Sequence, residues 1–273
     1  MRVFEIPEGT RTSKGRAIQN LINIGSDDKV KAFICTQDLK DEDYINSHYV
    51  IMATKKGQVK KTPLEQYSRP RTNGINAITI KEGDELLEAK LTTGDSQVML
   101  AVKSGKAIRF EEEKTRSMGR NASGVRGIRL ANEQDEVIGM IAVNDIESNI
   151  LVVSENGYGK RSSLEDYRIT NRGGKGVKTI NVTEKTGNLV SIKNVTDEDD
   201  LMIINKSGIT IRMAVSDLRV MGRATQGVKL INIKDNDSIA AVAKVMHEEE
   251  VEIDENENGT EIENNNDEST NKE

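Results

Sequence analysis

Apolar positions along this chain fall in short runs of about six residues rather than at helical spacing. YVIMAT (49–54), QVMLAV (97–102), NILVVS (149–154) and LMIINK (201–206) are the clearest, rich in β-branched residues. Each is followed by a glycine-containing turn and a second stretch that alternates, as in Gln58-Val59-Lys60-Lys61. That pattern predicts β-hairpins. The turn glycines are Gly57, Gly105, Gly157 and Gly208, at spacings of 48, 52 and 51 residues. A second glycine recurs in RTNGI, RNASGV, RGGKGV and RATQGV, at Gly74, Gly124, Gly176 and Gly227. A third landmark pairs a polar turn with an apolar strand: DKVKAF, DELLEA, DEVIGM, GNLVSI and DSIAAV.

A unit of about 50 residues holding four short strands, repeated along a chain, is the signature of a propeller blade. The expected fold is all-β, a β-propeller or β-pinwheel of repeated four-stranded blades. An α/β array of the same period is disfavoured, because few stretches hold a helical pattern for ten residues. LEQYS and LEDYR suit at most one helical turn each. Complete blades are expected over about 49–96, 97–148, 149–200 and 201–246. Residues 1–48 carry an earlier loop copy, RTSKGR with Gly15, but no opening hairpin. They are expected to form a partial blade, as if the chain began inside a longer protein, since an open sheet edge is a liability.

Charge splits the chain in two. Residues 247–273 hold 12 acidic residues and one basic residue, Lys272, leaving 38 basic against 33 acidic residues in 1–246. The net charge of −6 thus conceals a body of +5 and a segment of −11. That segment, rich in Glu and Asn, is expected to be a disordered acidic tail, because it cannot bury enough apolar surface to offset its ordering entropy. The single cysteine, Cys35, rules out an internal disulfide, and only His48 and His247 could join it at a zinc. No apolar run approaches membrane-spanning length, and the start of the chain lacks the pattern of a secretory signal. A reducing, cytoplasmic setting is expected. Aromatic residues are 3% of the chain and Trp is absent, which argues against base-stacking platforms.

Catalytic chemistry finds little support. No Cys-His or Ser-His pairing has a workable spacing, and RGGKG (172–176) lacks the remaining positions of a phosphate-binding P-loop. The acidic residues lie in turn and tail positions and read as solvated faces. Duplex nucleic acid fits better. A cation lies four residues after each turn glycine: Lys61, Arg109, Arg161 and Arg212. Lys60 and Lys160 adjoin two of them. An Arg-x-x-x-Gly pattern recurs at Arg11, Arg120, Arg172 and Arg223, with Pro70 breaking it in one copy between Arg69 and Arg71. Arg126, Arg129, Lys175, Lys178 and Lys229 add charge in the same loops, and Gly173, Gly174 and Gly176 suit close approach of backbone amides to phosphate. In a radial array these groups would recur round the rim and meet a curved duplex at each blade.

Thr170-Asn171-Arg172-Gly173-Gly174-Lys175-Gly176 resembles the box motif of the DNA gyrase A C-terminal domain, Gln-Arg-Arg-Gly-Gly-Lys-Gly. GRNASGVRGI, GRATQGVKLI and RTSKGRAIQNL are similar to the blade loops of that family, and the resemblance covers 1–246. It implies a six-bladed β-pinwheel that wraps duplex DNA. It further implies two partners in an A2B2 enzyme of the bacterial cytoplasm and nucleoid: the breakage-reunion domain of the A subunit, and the B subunit. ATP and Mg2+ would be used by that full enzyme, with no cofactor, metal or catalytic residue in this chain. Thr170 and Asn171 depart from the box, which in the family lies in the first blade and not in a late one. The A-subunit propeller of topoisomerase IV is the alternative within the class. A propeller acting as a protein-interaction scaffold is the alternative outside it.

Overall fold

The computed structural model describes residues 3–246 apart from 11, 23, 26, 72, 146 and 234–236. Arg11 and the acidic segment 247–273 lie outside the described residues. The strands are β1 (Tyr49–Thr54), β2 (Gln58–Pro63), β3 (Leu86–Thr92), β4 (Gln97–Val102), β5 (Lys106–Glu111), β6 (Val125–Arg126), β7 (Val137–Val143), β8 (Asn149–Ser154), β9 (Tyr158–Ser163), β10 (Val177–Lys178), β11 (Leu189–Val195), β12 (Asp199–Asn205), β13 (Thr210–Ala214), β14 (Val228–Lys229) and β15 (Ile239–Met246). Leu64–Tyr67 and Leu164–Asp166 are single 3-10 turns, as LEQYS and LEDYR suggest. One helix, α1 (Glu42–Ser47), is not evident in the sequence pattern. Asp41 caps it, accepting a hydrogen bond from the Tyr44 amide at 3.1 Å, and Ile45 is buried. Among the described residues no helix is long and apolar enough to cross a membrane.

Every hairpin forms where a turn glycine is predicted, but the sheets do not follow the chain segments. Their orders are β3-β1-β2-β6, β10-β5-β4-β7, β11-β8-β9-β14 and β13-β12-β15. The fourth strand of each four-stranded sheet comes from the next unit. β6 pairs with β2, β10 with β5 and β14 with β9, all antiparallel. The expectation of four contiguous, complete blades is corrected accordingly. Three sheets have four strands assembled across unit boundaries, and the last has three.

The two recurrent glycines make this exchange possible. All have positive φ: 83°, 80° and 79° at Gly57, Gly105 and Gly157, and 86°, 69° and 85° at Gly124, Gly176 and Gly227. A Cβ on Gly124, Gly176 or Gly227 would lie 2.5 Å from the carbonyl oxygen of Val59, Ala107 or Gly159 on the receiving hairpin. A Cβ on Gly57, Gly105 or Gly157 would lie 2.7–2.9 Å from the carbonyl oxygen of Ile128, Ile180 or Ile231 on the arriving chain. Both glycines let two backbones touch.

Between sheets the core is apolar, and it explains why the hairpin strands read as unbroken apolar runs. Period-two alternation sends Val98, Leu100 and Val102 of β4 toward Ile51, Ala53 and Val59 of the first sheet. Met99 and Ala101 point the other way, onto Ile150 and Val152 of the third. Leu151 and Val153 then meet Leu201 and Ile203 of the fourth. Each such side chain contributes about 1.5–3 kcal/mol by leaving water. Successive sheets also touch through β3 and β7, β7 and β11, and β11 and β15. That edge is the hub, and β6, β10 and β14 mark the opposite edge, the rim. Residues 28–33 carry the landmark of a hub strand but form no ladder, for no hairpin stands beside them. Ala32 and Ile34 instead pack on Ile45, Val50, Met52 and Leu64.

A pair of substitutions isolates the junction. Gly74 has φ 76° and no atom within 4 Å of its would-be Cβ. Gly74→Ala should cost roughly 1–2 kcal/mol from the left-handed backbone alone. Gly124→Ala should cost a further 1–3 kcal/mol or so, because the methyl strikes Val59. Urea unfolding in dilute solution measures both, and equal losses would refute the close approach.

Candidate nucleic-acid interface

In the three units that begin at 97, 149 and 201, the chain leaves the second hairpin strand, makes a short turn and crosses to the preceding sheet. There it runs beside the end of that hairpin. Met118, Thr170 and Met221 amides donate to the carbonyls of Lys61, Arg109 and Arg161, each at 2.8 Å. The Arg-x-x-x-Gly loop follows, then the rim strand. Alternation in that strand buries part of Val125, Val177 and Val228 and turns Arg126, Lys178 and Lys229 outward to solvent. Consecutive loops lean on one another. Gly173 donates its amide to the Gly127 carbonyl at 2.6 Å, and Arg129 donates to Gly174 at 2.8 Å. The rim is thus one continuous strip.

The sequence-derived cations divide into three groups. Those of the first three hairpins are corrected: Lys60, Lys61, Arg109, Lys160 and Arg161 are buried between sheets and not displayed on the rim. Lys60, with no exposed surface, donates to the carbonyls of Ala77 and Arg120. Lys61 lies 3.8 Å from Glu112 and 4.9 Å from the centre of the Tyr49 ring. Arg109 donates to the Leu164 and Tyr167 carbonyls at 2.8 and 3.0 Å and to Gln97. Lys160 donates to the Gly222 carbonyl at 2.6 Å. Arg161 holds the Leu218 carbonyl and the Asp197 carboxylate. Arg120, Glu112, Leu164, Tyr167, Gly222 and Leu218 lie in the next unit, so these side chains staple sheets together, while Ala77, Tyr49, Gln97 and Asp197 belong to the cation's own unit. Arg212 holds the equivalent place in the last sheet. It is exposed there, 2.7 Å from Asp200.

A second group is half-buried. Arg172 donates Nε to the Lys114 carbonyl at 2.8 Å and Nη1 to the Arg126 carbonyl at 3.1 Å. Arg223 repeats this with Asp166 at 2.9 Å and Lys178 at 2.7 Å. Arg120 reaches the Asn76 carbonyl at 3.4 Å. Each guanidinium keeps further N–H donors for an outside ligand. Gly173 is less available than the motif suggests, because its amide serves Gly127. A Cβ on Gly174 would touch Ile108, and Gly176 is needed for the strand exchange.

The third group, Arg71, Arg126, Arg129, Lys175, Lys178 and Lys229, is exposed. Arg116, Arg168 and Arg219 join it. They lie outside the recurrent motifs, although their spacings of 52 and 51 match the glycine repeat. They sit beside the parallel bridges of Ser117, Ile169 and Val220 to Lys61, Arg109 and Arg161. Arg168, Thr170, Asn171, Gly174 and Lys175 line a shallow depression next to β5. Among the described residues no ion pair involves these exposed rim cations. No group of three or more potential metal-ligating His, Cys, Asp or Glu side chains occurs among them either.

The family described as "DNA gyrase C-terminal domain, beta-propeller" matches residues 1–37, 48–93, 97–144, 148–196 and 199–246. The chain belongs to this family. The A subunit of DNA gyrase from Staphylococcus aureus (strain NCTC 8325 / PS 47) is 42% identical over 261 residues, which is 95% of this chain and 29% of that protein. The one from Staphylococcus epidermidis is 43% identical over 251 residues, 92% of this chain and 28% of that protein. The chain therefore spans under a third of the length of these relatives. A solved structure of the DNA gyrase A C-terminal domain aligns at TM-score 0.74 and 25% identity, over 86% of this chain and 76% of that one. The C-terminal domain of DNA topoisomerase IV aligns at 0.77 and 24%, over 85% and 71%, and shares the fold.

Stapling and display respond differently to truncation. Arg109→Ala should lower the unfolding free energy by about 2–4 kcal/mol, since an acceptor stranded in the interior costs about 1–3 kcal/mol and the change strands the Leu164 and Tyr167 carbonyls. Lys178→Ala should change it by less than about 0.5 kcal/mol. Chemical denaturation distinguishes them. The buried lysines also set a pH dependence. Burial lowers Lys60 to about 8, aided by the nearby Arg120 charge. Burial likewise lowers Lys160 to about 8, with Asp166 opposing and Arg223 assisting. Below pH 8 both folded and unfolded states hold these protons, and the burial penalty applies in full. As pH rises from 8 toward the ordinary 10.5, the unfolded chain binds more protons, so stability should rise. Tyr167, pushed up to about 12 by burial, opposes this above its ordinary 10.0. Between pH 8 and 10 the rise should shrink in the Lys60→Met/Lys160→Met variant, with the half-buried Lys193, also lowered by burial, supplying what remains.

Proposed function

We propose that this chain binds duplex DNA along its rim and bends it, as the C-terminal part of the A subunit of a gyrase-type type II topoisomerase. The observation that carries the reading is the recurrence, at one place in successive sheets, of exposed cations that form no ion pair among the described residues: Arg126, Lys178 and Lys229 on the rim strands. Arg116, Arg168 and Arg219 follow the same order beside them. Phosphates repeat along a duplex, and a curved strip of matching positive charge attracts them while reading little base sequence. The half-buried Arg120, Arg172 and Arg223 add donors fixed in direction by the carbonyls they already hold. Family membership and 42% identity to the A subunit of a DNA gyrase support gyrase over topoisomerase IV, as does the Arg172–Gly176 string.

In the full enzyme, wrapped DNA would present a crossover to the breakage-reunion domain. The B subunit, with ATP and Mg2+, would then drive strand passage toward negative supercoiling in the bacterial cytoplasm. This chain's part is electrostatic and mechanical. The acidic segment 247–273, tethered to the same body, acts as a polyanion competing for the rim.

The triple variant Arg126→Ala/Lys178→Ala/Lys229→Ala tests the reading without touching the staples. If each side chain meets one phosphate, the slope of log K against log salt should fall by about 2.7, from 0.9 per contact. Circular dichroism should be unchanged. Absence of salt-dependent duplex binding by the unmodified chain would overturn the reading in favour of a protein-interaction scaffold.

A further inference from the structure

The outer edge of each receiving hairpin strand carries a second feature beside the rim strand. Segments 116–118, 168–170 and 219–221 touch that edge, where Ser117, Ile169 and Val220 are bridged in parallel to Lys61, Arg109 and Arg161. Ile169 is 47% exposed and Val220 51%. They stand 51 residues apart, at the same place in successive junctions. Neither belongs to an apolar cluster of the core. The fold does not require an apolar side chain there, since Ser117, also exposed, fills the place in the first junction. The residue before each is an exposed arginine: Arg116, Arg168 or Arg219.

A fixed backbone displays these two side chains. The amides that follow them, of Thr170 and Met221, donate to the Arg109 and Arg161 carbonyls at 2.8 Å. Two residues before them Tyr167 and Leu218 are buried, and their carbonyls accept from the Arg109 and Arg161 guanidinium groups. Register sets their distance from the rim cations. On β5, Lys178 faces Lys106 and Ile169 faces Arg109. On β9, Lys229 faces Tyr158 and Val220 faces Arg161. Three residues of strand separate the members of each pair, about 10 Å. That offset is on the scale of a groove of B-DNA, which is roughly 6 Å wide for the minor and 12 Å for the major. A duplex whose phosphates meet Lys178 and Lys229 therefore lays a groove over Ile169 and Val220.

We propose that Arg168-Ile169 and Arg219-Val220 enter the minor groove where it faces the rim, each arginine on the acceptors of the groove floor and each apolar side chain against the sugar walls. The inference rests on the reading of the rim as a duplex-binding surface. The minor groove is chosen over the major by the arginines. Its negative potential deepens where it narrows, and arginine is drawn into it there. Architectural proteins that bend DNA combine the same two side-chain types, a cation for the groove and an apolar contact beside it. The floor of an A·T pair offers acceptors only, whereas G adds a donor that opposes a guanidinium. These two junctions therefore favour A·T pairs at the points where they touch, and the first junction, with Ser117, supplies charge without the apolar contact.

Duplex titrations at several salt concentrations, with the full chain and an A·T-rich duplex long enough to follow the rim, test the contact. Ile169→Ser/Val220→Ser removes apolar surface and no charge. Each side chain has about half its surface left to bury, so the pair should lose at least about tenfold in affinity. The loss should be equal at every salt concentration, with the slope of log K against log salt unchanged, because no phosphate contact is lost. Ser117→Ile should tighten binding several-fold in the same parallel manner. Filling the minor groove beforehand with a minor-groove-binding polyamide should erase the difference between the variants and the unmodified chain. Equal affinities of all three chains overturn the inference and leave the rim reading standing. A difference that survives the polyamide also overturns it, by placing the two side chains outside the minor groove. Absence of salt-dependent binding by every chain overturns the inference together with the rim reading.

Discussion

The structure depends on one constraint: two backbones must touch where a strand from one unit completes the sheet of the unit before it. The approach leaves 2.5 Å between a would-be Cβ on Gly124, Gly176 or Gly227 and a carbonyl oxygen on the receiving hairpin. No side chain tolerates that distance, so glycine stands there in every complete junction. Once the strand is exchanged, none of the three four-stranded sheets is the property of one segment. Neighbouring sheets are then joined by backbone ladders at the rim, by apolar faces between them and by hub contacts.

The exchange also sorts the cations. A cation three or four residues past a turn glycine lies where the next unit arrives, and it is covered on arrival. Burial in that place demands hydrogen-bond partners, and the arriving turn supplies them as carbonyls that would otherwise lack donors. Arg109 on Leu164 and Tyr167 and Lys160 on Gly222 are therefore as much a part of the junction as the glycines. Arg212 shows the counterpart. With no unit to cover it, the same residue position is exposed and holds the Asp200 carboxylate and the Met246 carbonyl, both of its own sheet. Charge for a polyanion is left to the outward side chains of the rim strands and the arginines that precede the loops.

Much of this was legible in the sequence. Hairpins, their turn glycines and the short 3-10 turns follow from alternation and turn chemistry, which are local. The pairing of Val with a cation in VR, VK and VK likewise gives one inward and one outward side chain by the pleat alone. Helix α1 was not legible, because six residues hold too little periodicity to stand out. Nor was the failure of residues 28–33 to join a ladder, since their pattern matches that of the strands that do.

Local pattern alone dictates the all-β repeat, the period near 50 residues, the positions of both glycines and the display of Arg126, Lys178 and Lys229. Packing between distant units settles the rest: the fourth strands are exchanged, Lys60, Lys61, Arg109, Lys160 and Arg161 are internal, and Gly74 and Gly208 stand open. The reason is distance along the chain. A pattern of alternation is carried by neighbours two residues apart, whereas the bonds that bury Arg109 and Lys160 span 55 to 62 residues. Whether such a bond forms depends on which unit arrives from across the junction, and no local spacing encodes that arrival.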